Sequence, residues 1–353
     1  MVKIKGKSLI GLDIGTKFVK AIEIGPTETG YAVLGYIYKE IPPQTDMKEF
    51  IKELFHTAGF KGKKVVTGVS GRSVIVRYIN MPEMSDIELQ NAIKYEASKY
   101  IPFEADEVVL DCQKMDYGIK DNSSEPKTES TNKEMRVILV AAKRNLIDEH
   151  LTTLESAGLW PHVIDLDALA LGNAFELYQT MAETKGETET NKCIALVDIG
   201  SSKTLLNIVL NNNSYFTREI TIAGNDFTDA ISKKLSVDLK QAEELKCKPQ
   251  EKAEEVKDAI SGLLEDLIHE VRLSFDYFEH QFEKPIDLIY LSGGSCNLIG
   301  LEDVFDKDFQ KRPVRWNPTG HLEIASDKIT QDELTQNSSQ LAIAVGLASR
   351  IRK

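Results

Sequence analysis

The chain is poor in the residues that build cross-linked or metal-centred folds. Its 353 residues include four cysteines, Cys112, Cys193, Cys247 and Cys296, far apart and with no C-x-x-C pair. Neither a disulfide framework nor a thiolate knuckle is expected, and reduced cysteines fit the cytosol. The six histidines fall in no H-E-x-x-H or clustered pattern, which argues against a protein-built zinc site. No apolar run reaches the roughly 18 residues that crossing a bilayer requires. Met1-Val2-Lys3-Ile4-Lys5-Gly6-Lys7 is basic, but no long apolar stretch follows before Asp13, so no signal peptide is expected. A basic excess is lacking too: 43 Lys and Arg face 55 Asp and Glu, a net charge of −12, which argues against a nucleic-acid surface. The remainder is an ordinary globular composition, 42% hydrophobic and 28% charged, on a chain long enough for two lobes.

Against that background one motif occurs twice. Leu9-Ile10-Gly11-Leu12-Asp13-Ile14-Gly15-Thr16 precedes an apolar run at residues 18–24. About 185 residues later, Ile194-Ala195-Leu196-Val197-Asp198-Ile199-Gly200-Ser201-Ser202 precedes another at 205–210. Each copy reads as strand, tight turn, strand, and the similarity predicts a duplicated unit. The turn chemistry suits a phosphate. Gly15 and Gly200 let backbone approach an anion closely; Thr16, Ser201 and Ser202 bring hydroxyl and N–H donors. Asp13 and Asp198 would repel phosphate unless Mg²⁺ and its waters stand between. A single copy would equally fit an ordinary hairpin. In a third element, Leu288-Ile289-Tyr290-Leu291-Ser292-Gly293-Gly294-Ser295, a strand runs into a turn whose bare backbone can take a flat ligand. A flexible strand end explains the same letters.

The remaining segments alternate between strands and helices. Residues 8–38 read as a strand meander, and 46–59 as a helix with Met47, Phe50, Ile51, Leu54 and Phe55 at helical spacing. Residues 65–69 and 74–79 read as strands around Ser70-Gly71. Ser85-Asp86-Ile87-Glu88 is a capping box opening a helix to about Tyr100, stopped by Pro102. Strands are predicted at 108–115 and 135–142, with a disordered tip at 118–132, where almost no apolar side chain is available. A helix follows at 145–157, ended by Gly158. Residues 163–170, with Asp165 and Asp167, alternate like a strand, and 182–192 read as a linker. Ile260, Leu263, Leu264, Leu267, Ile268, Val271, Phe275 and Phe278 mark one face of a long helix. The charged run 246–257 reads as a solvated helical face.

In order and spacing, the three turns resemble the two phosphate loops and the adenosine loop of the actin-like ATPase superfamily. Three further segments carry a closer resemblance: 72–82 (Arg-Ser-Val-Ile-Val-Arg-Tyr-Ile-Asn-Met-Pro), 92–102 with Tyr95-Glu96-Ala97 and Tyr100-Ile101-Pro102, and 270–278 (Glu-Val-Arg-Leu-Ser-Phe-Asp-Tyr-Phe). These resemble the PilM family of type IV pilus assembly proteins, and the likeness runs over nearly the whole chain. It implies an α/β fold: a two-lobed actin-like (ribonuclease H-like) ATPase with an FtsA-type subdomain inserted in the first lobe. The expected divisions are 1–82 for the first-lobe core, completed by about 161–190 and a C-terminal helix at 338–353. An insert at 83–160, a second-lobe core at 191–235 and 285–337, and a helical subdomain at 236–284 make up the rest.

The resemblance implies ATP or ADP with Mg²⁺, held through Asp13 and Asp198 by way of water. Gly15, Thr16, Lys17, Gly200, Ser201, Ser202, Gly293, Gly294 and Ser295 would line the nucleotide. Lys20 matches the spacing of a β-phosphate lysine, although a surface lysine fits the same letter. Gly224-Asn225 opens a helix whose N-terminus would favour phosphate, or is a plain cap. In Ala242-Glu243-Glu244-Leu245-Lys246, the resemblance puts Glu243 on the ribose and Lys246 along the adenine. Asp165 and Asp167 are the candidates for orienting a water, with no ground for choosing between them. The implied role is a cytoplasmic scaffold of the pilus inner-membrane platform that binds the N-terminal peptide of PilN in a groove between the first lobe's core and the insert, filling it or lying along a strand edge, and has slow or absent ATPase activity. It would be held peripherally at the membrane by protein partners. Ile93, Tyr95 and Tyr100 are candidates for the peptide surface, or core. Three alternatives fit the sequence less well. A small-molecule kinase is disfavoured by the missing first-turn Gly-Gly and zinc motif. An FtsA-like division adaptor is disfavoured because no amphipathic tail follows residues 341–348; a type II secretion relative with a fused transmembrane segment is disfavoured likewise.

Overall fold

The computed structural model describes residues 4–60, 62–115, 134–184, 186 and 191–352. The tip expected at 118–132 and much of the linker expected at 182–192 lie outside them. The repeat in the sequence becomes a repeat of sheet topology. β1 (Leu9–Ile14), β2 (Phe18–Pro26) and β3 (Tyr31–Glu40) form an antiparallel meander. The chain then crosses through α1 (Met47–Ala58), capped by the Asp46 side chain at its start and by left-handed Gly59 at its end. β4 (Lys64–Val69) returns parallel to β1.

A small unit follows. β5 (Val74–Pro82) leads into α2 (Asp86–Glu96), where Ser85 and Glu88 form the expected capping box. β6 (Val108–Met115) and β7 (Glu134–Lys143) complete a three-stranded antiparallel sheet in the order β5-β7-β6. Ile79, Leu89, Ile93, Val137 and Leu139 are among the side chains of its own core. Two boundaries differ from the sequence reading. Residues 74–82, assigned to the first-lobe core, pair with β7 along the full strand. α3 (Arg144–Ser156), assigned to the insert, packs instead on α1 and on β8 (Trp160–Leu166), because Leu154 is the apolar residue it buries and that residue joins Phe55 and Ile51. The strand expected over 163–170 also ends early: Asp167 is the first residue of α4 (Asp167–Glu183). An acid in the first turn suits the helix dipole, and Ala170, Leu171, Ala174 and Phe175 follow at helical spacing.

The second lobe repeats the plan. β9 (Cys193–Ile199), β10 (Thr204–Leu210) and β11 (Asn213–Ile220) form the meander. α5 (Gly224–Leu235), α6 (Leu239–Cys247) and the long α7 (Ala253–Phe282) precede β12 (Leu288–Ser292), which pairs parallel to β9. α8 (Leu301–Phe309) leads to β13 (Val314–Arg315), parallel to β12, and β14 (Glu323–Ile324) adds to the first sheet beside β3. The two main sheets therefore read β14-β3-β2-β1-β4-β8 and β11-β10-β9-β12-β13, and the five shared places match in order and direction. After α9 (Gln331–Asn337), α10 (Ala342–Ala348) is buried throughout and lies with α4 between the sheets. That crossing is close: a Cβ on Gly346 would stand 1.7 Å from the Ala170 carbonyl oxygen. Among the described residues no helix is long and apolar enough to cross a membrane. Cys112, Cys193 and Cys296 are buried free thiols and Cys247 is exposed.

Candidate functional site

Because both hairpins stem from the central strands of their sheets, their turns meet across the cleft. The turns are built alike: the Gly15 N–H donates to the Phe18 carbonyl at 3.0 Å, and the Gly200 N–H to the Lys203 carbonyl at 3.0 Å. Across the cleft the Thr16 and Ser201 hydroxyls are 2.8 Å apart. Ser202, next in the second turn, is exposed.

Charge gathers beneath the turns. Asp13 sits opposite Lys20 in the β1–β2 register, and their side chains pair at 2.6 Å. Burial works against the charge on Lys20, but Asp13, with Asp198 and Asp167 behind it, outweighs that and raises its pKa. Asp198 faces Leu205 at the corresponding position and has no lysine of its own. Its carboxylate accepts from the Ser292 hydroxyl at 2.7 Å. Burial pushes its pKa up to about 6, against the pull of Lys20 and Ser292; Asp13 and Asp167 add to the rise. Asp167 accepts from Lys203 Nζ at 2.7 Å and from the Ser70 hydroxyl, and Lys203 also donates to Ser70. Gly68 makes room for this arrangement, since a Cβ there would stand 2.1 Å from Asp167 Oδ1.

The two aspartates that the sequence left undecided thus separate. Asp167 meets Lys203, which follows the second turn, and Ser70. Asp165, although buried, turns away: it accepts from Arg350 Nε at 2.7 Å, Asn173 at 3.3 Å and the Leu166 N–H at 2.8 Å, and ties β8 to the C-terminal segment. Its partners account for it fully, so its place is structural.

The start of α5 does not offer free amides to an anion at its first two residues. The Gly224 N–H donates to the Gly200 carbonyl at 2.9 Å and the Asn225 N–H to the Ser201 carbonyl at 2.7 Å, so both brace the second turn. Lys246, expected along an adenine, is buried, with Nζ donating to the Gly224 carbonyl at 2.9 Å and to Thr228 at 2.8 Å. The charged run was therefore not solvated throughout: its first lysine holds α6 to α5. Glu243 pairs with Lys246 and, from the first lobe's turn, with Lys17, each at 2.7 Å, and accepts from Thr228 at 2.6 Å. Burial opposes its charge, but these donors hold its pKa at about 2. In the third turn Gly293 has φ +87°, and its N–H donates to the Ser339 carbonyl at 2.8 Å. A Cβ there would strike the Ile199 backbone at 2.4 Å, so glycine is required. Gly294 faces Gln340, which accepts from the Tyr38 hydroxyl at 2.5 Å, and the Ser295 N–H donates to the Ile199 carbonyl at 3.0 Å.

Sequence reading missed Ser70, Lys203 and Ser292. Lys203 had a signal: the turns align by their glycines, and where the first copy has Phe18 the second has a lysine. Of the candidate peptide-surface residues, Ile93 is buried at 2% exposure in the insert's core, Tyr100 packs against that core, and Tyr95 is 82% exposed. Ile93 takes the core alternative because it lies on the face of α2 that carries Leu89.

The family model described as type IV pilus assembly protein PilM matches residues 11–352. A chain of the PilM–PilN type IV pilus biogenesis complex superposes with a TM-score of 0.82 at 28% identity, covering 97% of this chain and 98% of that one. The ethanolamine utilization protein EutJ from Carboxydothermus hydrogenoformans superposes with a TM-score of 0.54 at 12% identity, covering 99% and 92%, a likeness of fold alone. The cell division protein FtsA of Bacillus subtilis (strain 168) is 23% identical over 260 residues, 67% of this chain. The matched region spans 57% of that protein's length. The architecture is the two-lobed actin-like ATPase fold, and with its family match over residues 11–352 the chain belongs to the type IV pilus assembly protein PilM family.

Proposed function

We propose that the protein is a nucleotide-binding scaffold on the cytoplasmic side of a type IV pilus inner-membrane platform. It binds the N-terminal peptide of a PilN-like partner with an affinity tuned by nucleotide. The observation that carries the nucleotide half is the pair of turns facing each other at 2.8 Å above three buried carboxylates. Asp13, Asp167 and Asp198 outnumber Lys20 and Lys203 by one negative charge, and burial pushes the pKa of Asp198 to about 6. A cation fits that imbalance. Among the described residues no three Asp, Glu, His or Cys side chains converge as a metal cage. Asp13 and Asp198 would therefore hold Mg²⁺ largely through water and phosphate oxygens, as that ion prefers. Bound Mg²⁺-nucleotide would supply charge neutralisation between the lobes. Thr16, Ser201 and Ser202 would position phosphate oxygens, Gly293 and Gly294 would flank the base, and Glu243 would accept from the ribose while Lys17 and Lys246 keep it ionised.

The partner half rests on the likeness to a PilM–PilN complex over 97% of the chain. β5 and β6 are both edges of the insert's sheet. α2, which packs on β6, carries Ile87 at 77% exposure and Tyr95 at 82%. An extended peptide fits such an edge, with apolar side chains against such a helix. The test is calorimetric titration with the N-terminal peptide of the PilN-like protein of the same genome, with and without Mg-ATP. Saturable binding that shifts with nucleotide is expected, and Asp13→Ala and Asp198→Ala should each weaken Mg-ATP. Absent peptide binding would sink the scaffold half; unchanged Mg-ATP binding in both variants would sink the nucleotide half.

A further inference from the structure

The residue missed at the second turn does more than balance a charge. Lys203 belongs to the second lobe, yet its ammonium reaches Asp167 at 2.7 Å and Ser70, both in the first. Ser70 follows β4 and begins the short connection, residues 70–73, that carries the chain into the insert's edge strand. The next residue is also held from the second lobe: the Gly71 N–H donates to Glu219 on β11 at 2.9 Å. From there the insert lies along the second lobe. Tyr78 meets the Thr217 hydroxyl at 3.2 Å, its ring stacks 6.5 Å from Phe216, and Arg136 of β7 lies 4.8 Å from the Phe282 ring centre. The seam is loosely packed. A cavity of about 240 Å³ opens between β5 and β11, with Val74, Val76, Leu205 and Thr217 in its walls. The cavity is open to solvent, so water already reaches the seam, and parting it exposes less apolar surface than parting a packed core.

We propose that Lys203 distinguishes a nucleoside triphosphate from a diphosphate, and that the choice is transmitted through Ser70 and residues 70–73 to the position of the insert. The proposal rests on the nucleotide reading above. Without a terminal phosphate, Lys203 stays on Asp167 and Ser70 and the connection is pinned. A terminal phosphate carries more charge than the single carboxylate and offers oxygens in the same cleft, so Lys203 moves to it. Ser70 then loses one of its two partners, Asp167 is released toward the cleft, and the pinned connection loosens beside the cavity. The insert is thereby coupled to nucleotide state through one side chain.

The experiment compares wild type with Lys203→Gln and Ser70→Ala by calorimetry against Mg-ADP and the Mg complex of β,γ-imido-ATP, and by hydrogen exchange of residues 70–78. Wild type should prefer the imido-triphosphate, with faster exchange at 70–78 when it is bound. Lys203→Gln should lose about tenfold in triphosphate affinity, the order of one charge-assisted hydrogen bond, with Mg-ADP little changed. Its exchange should be fast already and insensitive to nucleotide. Ser70→Ala should keep the triphosphate preference while its exchange is fast without ligand, which separates sensing from transmission. Triphosphate preference and exchange response surviving in Lys203→Gln would overturn the proposal. Wild type binding both nucleotides equally, with no exchange difference, would overturn it while leaving the nucleotide site standing. Binding of neither would overturn both.

Discussion

Asp198→Asn should stabilise the ligand-free protein at neutral pH, although it removes a residue of the candidate site. In the folded state the Asp198 carboxyl has a pKa of about 6, against 3.8 ordinarily, chiefly because it is buried. A carboxyl whose folded pKa is raised binds its proton more tightly when folded. It therefore contributes nothing unfavourable below about pH 4, and destabilises increasingly as pH rises to about 6 and constantly above. The difference of about two pH units corresponds to roughly 3 kcal/mol at 1.36 kcal/mol per unit. Asparagine keeps an oxygen for the Ser292 hydroxyl, now 2.7 Å away, and carries no charge. With an unfolding entropy near 2.1 cal/mol/K per residue, 353 residues unfolding together give a Tm rise of about 4 °C. The assay is thermal unfolding from pH 4 to pH 8 without nucleotide, for wild type and variant side by side. The variant should gain on wild type between pH 4 and 6 and hold a constant lead beyond. Equal or lower stability at pH 7.5 would refute the reasoning and mean that Lys20 already compensates the charge.

Two other perturbations separate core from surface. Ile93→Ala should cost about 2–5 kcal/mol in urea unfolding, because it empties a site in the insert's core. Tyr95→Ala should stay within about 0.5 kcal/mol while weakening peptide binding by calorimetry; equal stability losses in the two would contradict the burial assigned to them. Arg350→Ala should cost about 3–5 kcal/mol, since it strands the buried Asp165 carboxylate, and Asp165→Asn added to it should recover part of that loss in the same unfolding assay.

The sequence revealed the frame of this protein better than the wiring of its site. The duplicated turns were legible because a glycine two residues after an acid, between two apolar strands, is a local pattern, and local patterns survive without tertiary knowledge. The capping box at Ser85 and Glu88 was legible for the same reason. The boundary of the insert was not, because strand 74–82 looks alike whichever sheet it joins; only its register with β7 decides. Nor did the fates of Asp165 and Asp167 show. Two positions apart they share one polarity pattern, and what separates them is Arg350, 185 residues further on. Lys246 misled because a charged run on a helix ordinarily faces water, whereas here its ammonium finds the Gly224 carbonyl, Thr228 and Glu243 inside the lobe.

The way the two copies differ explains how a symmetric frame yields a site with direction. Both turns close with the same backbone hydrogen bond, from the turn glycine to the residue three places on. Their lysines are placed differently. In the first copy the lysine comes five residues after the turn glycine and falls opposite its own lobe's acid, giving the Lys20–Asp13 pair. In the second, leucine occupies that place and the lysine comes three residues after the glycine, too early to reach Asp198 across the hairpin. It extends to the other lobe and takes Asp167 instead. One acid, Asp198, is left buried on Ser292 with no lysine paired to it, and Lys203, like Lys17 of the opposite turn, is left bridging the lobes. The first is where a cation has the most to neutralise, and the second is where a change of phosphate charge is felt in the other half of the molecule.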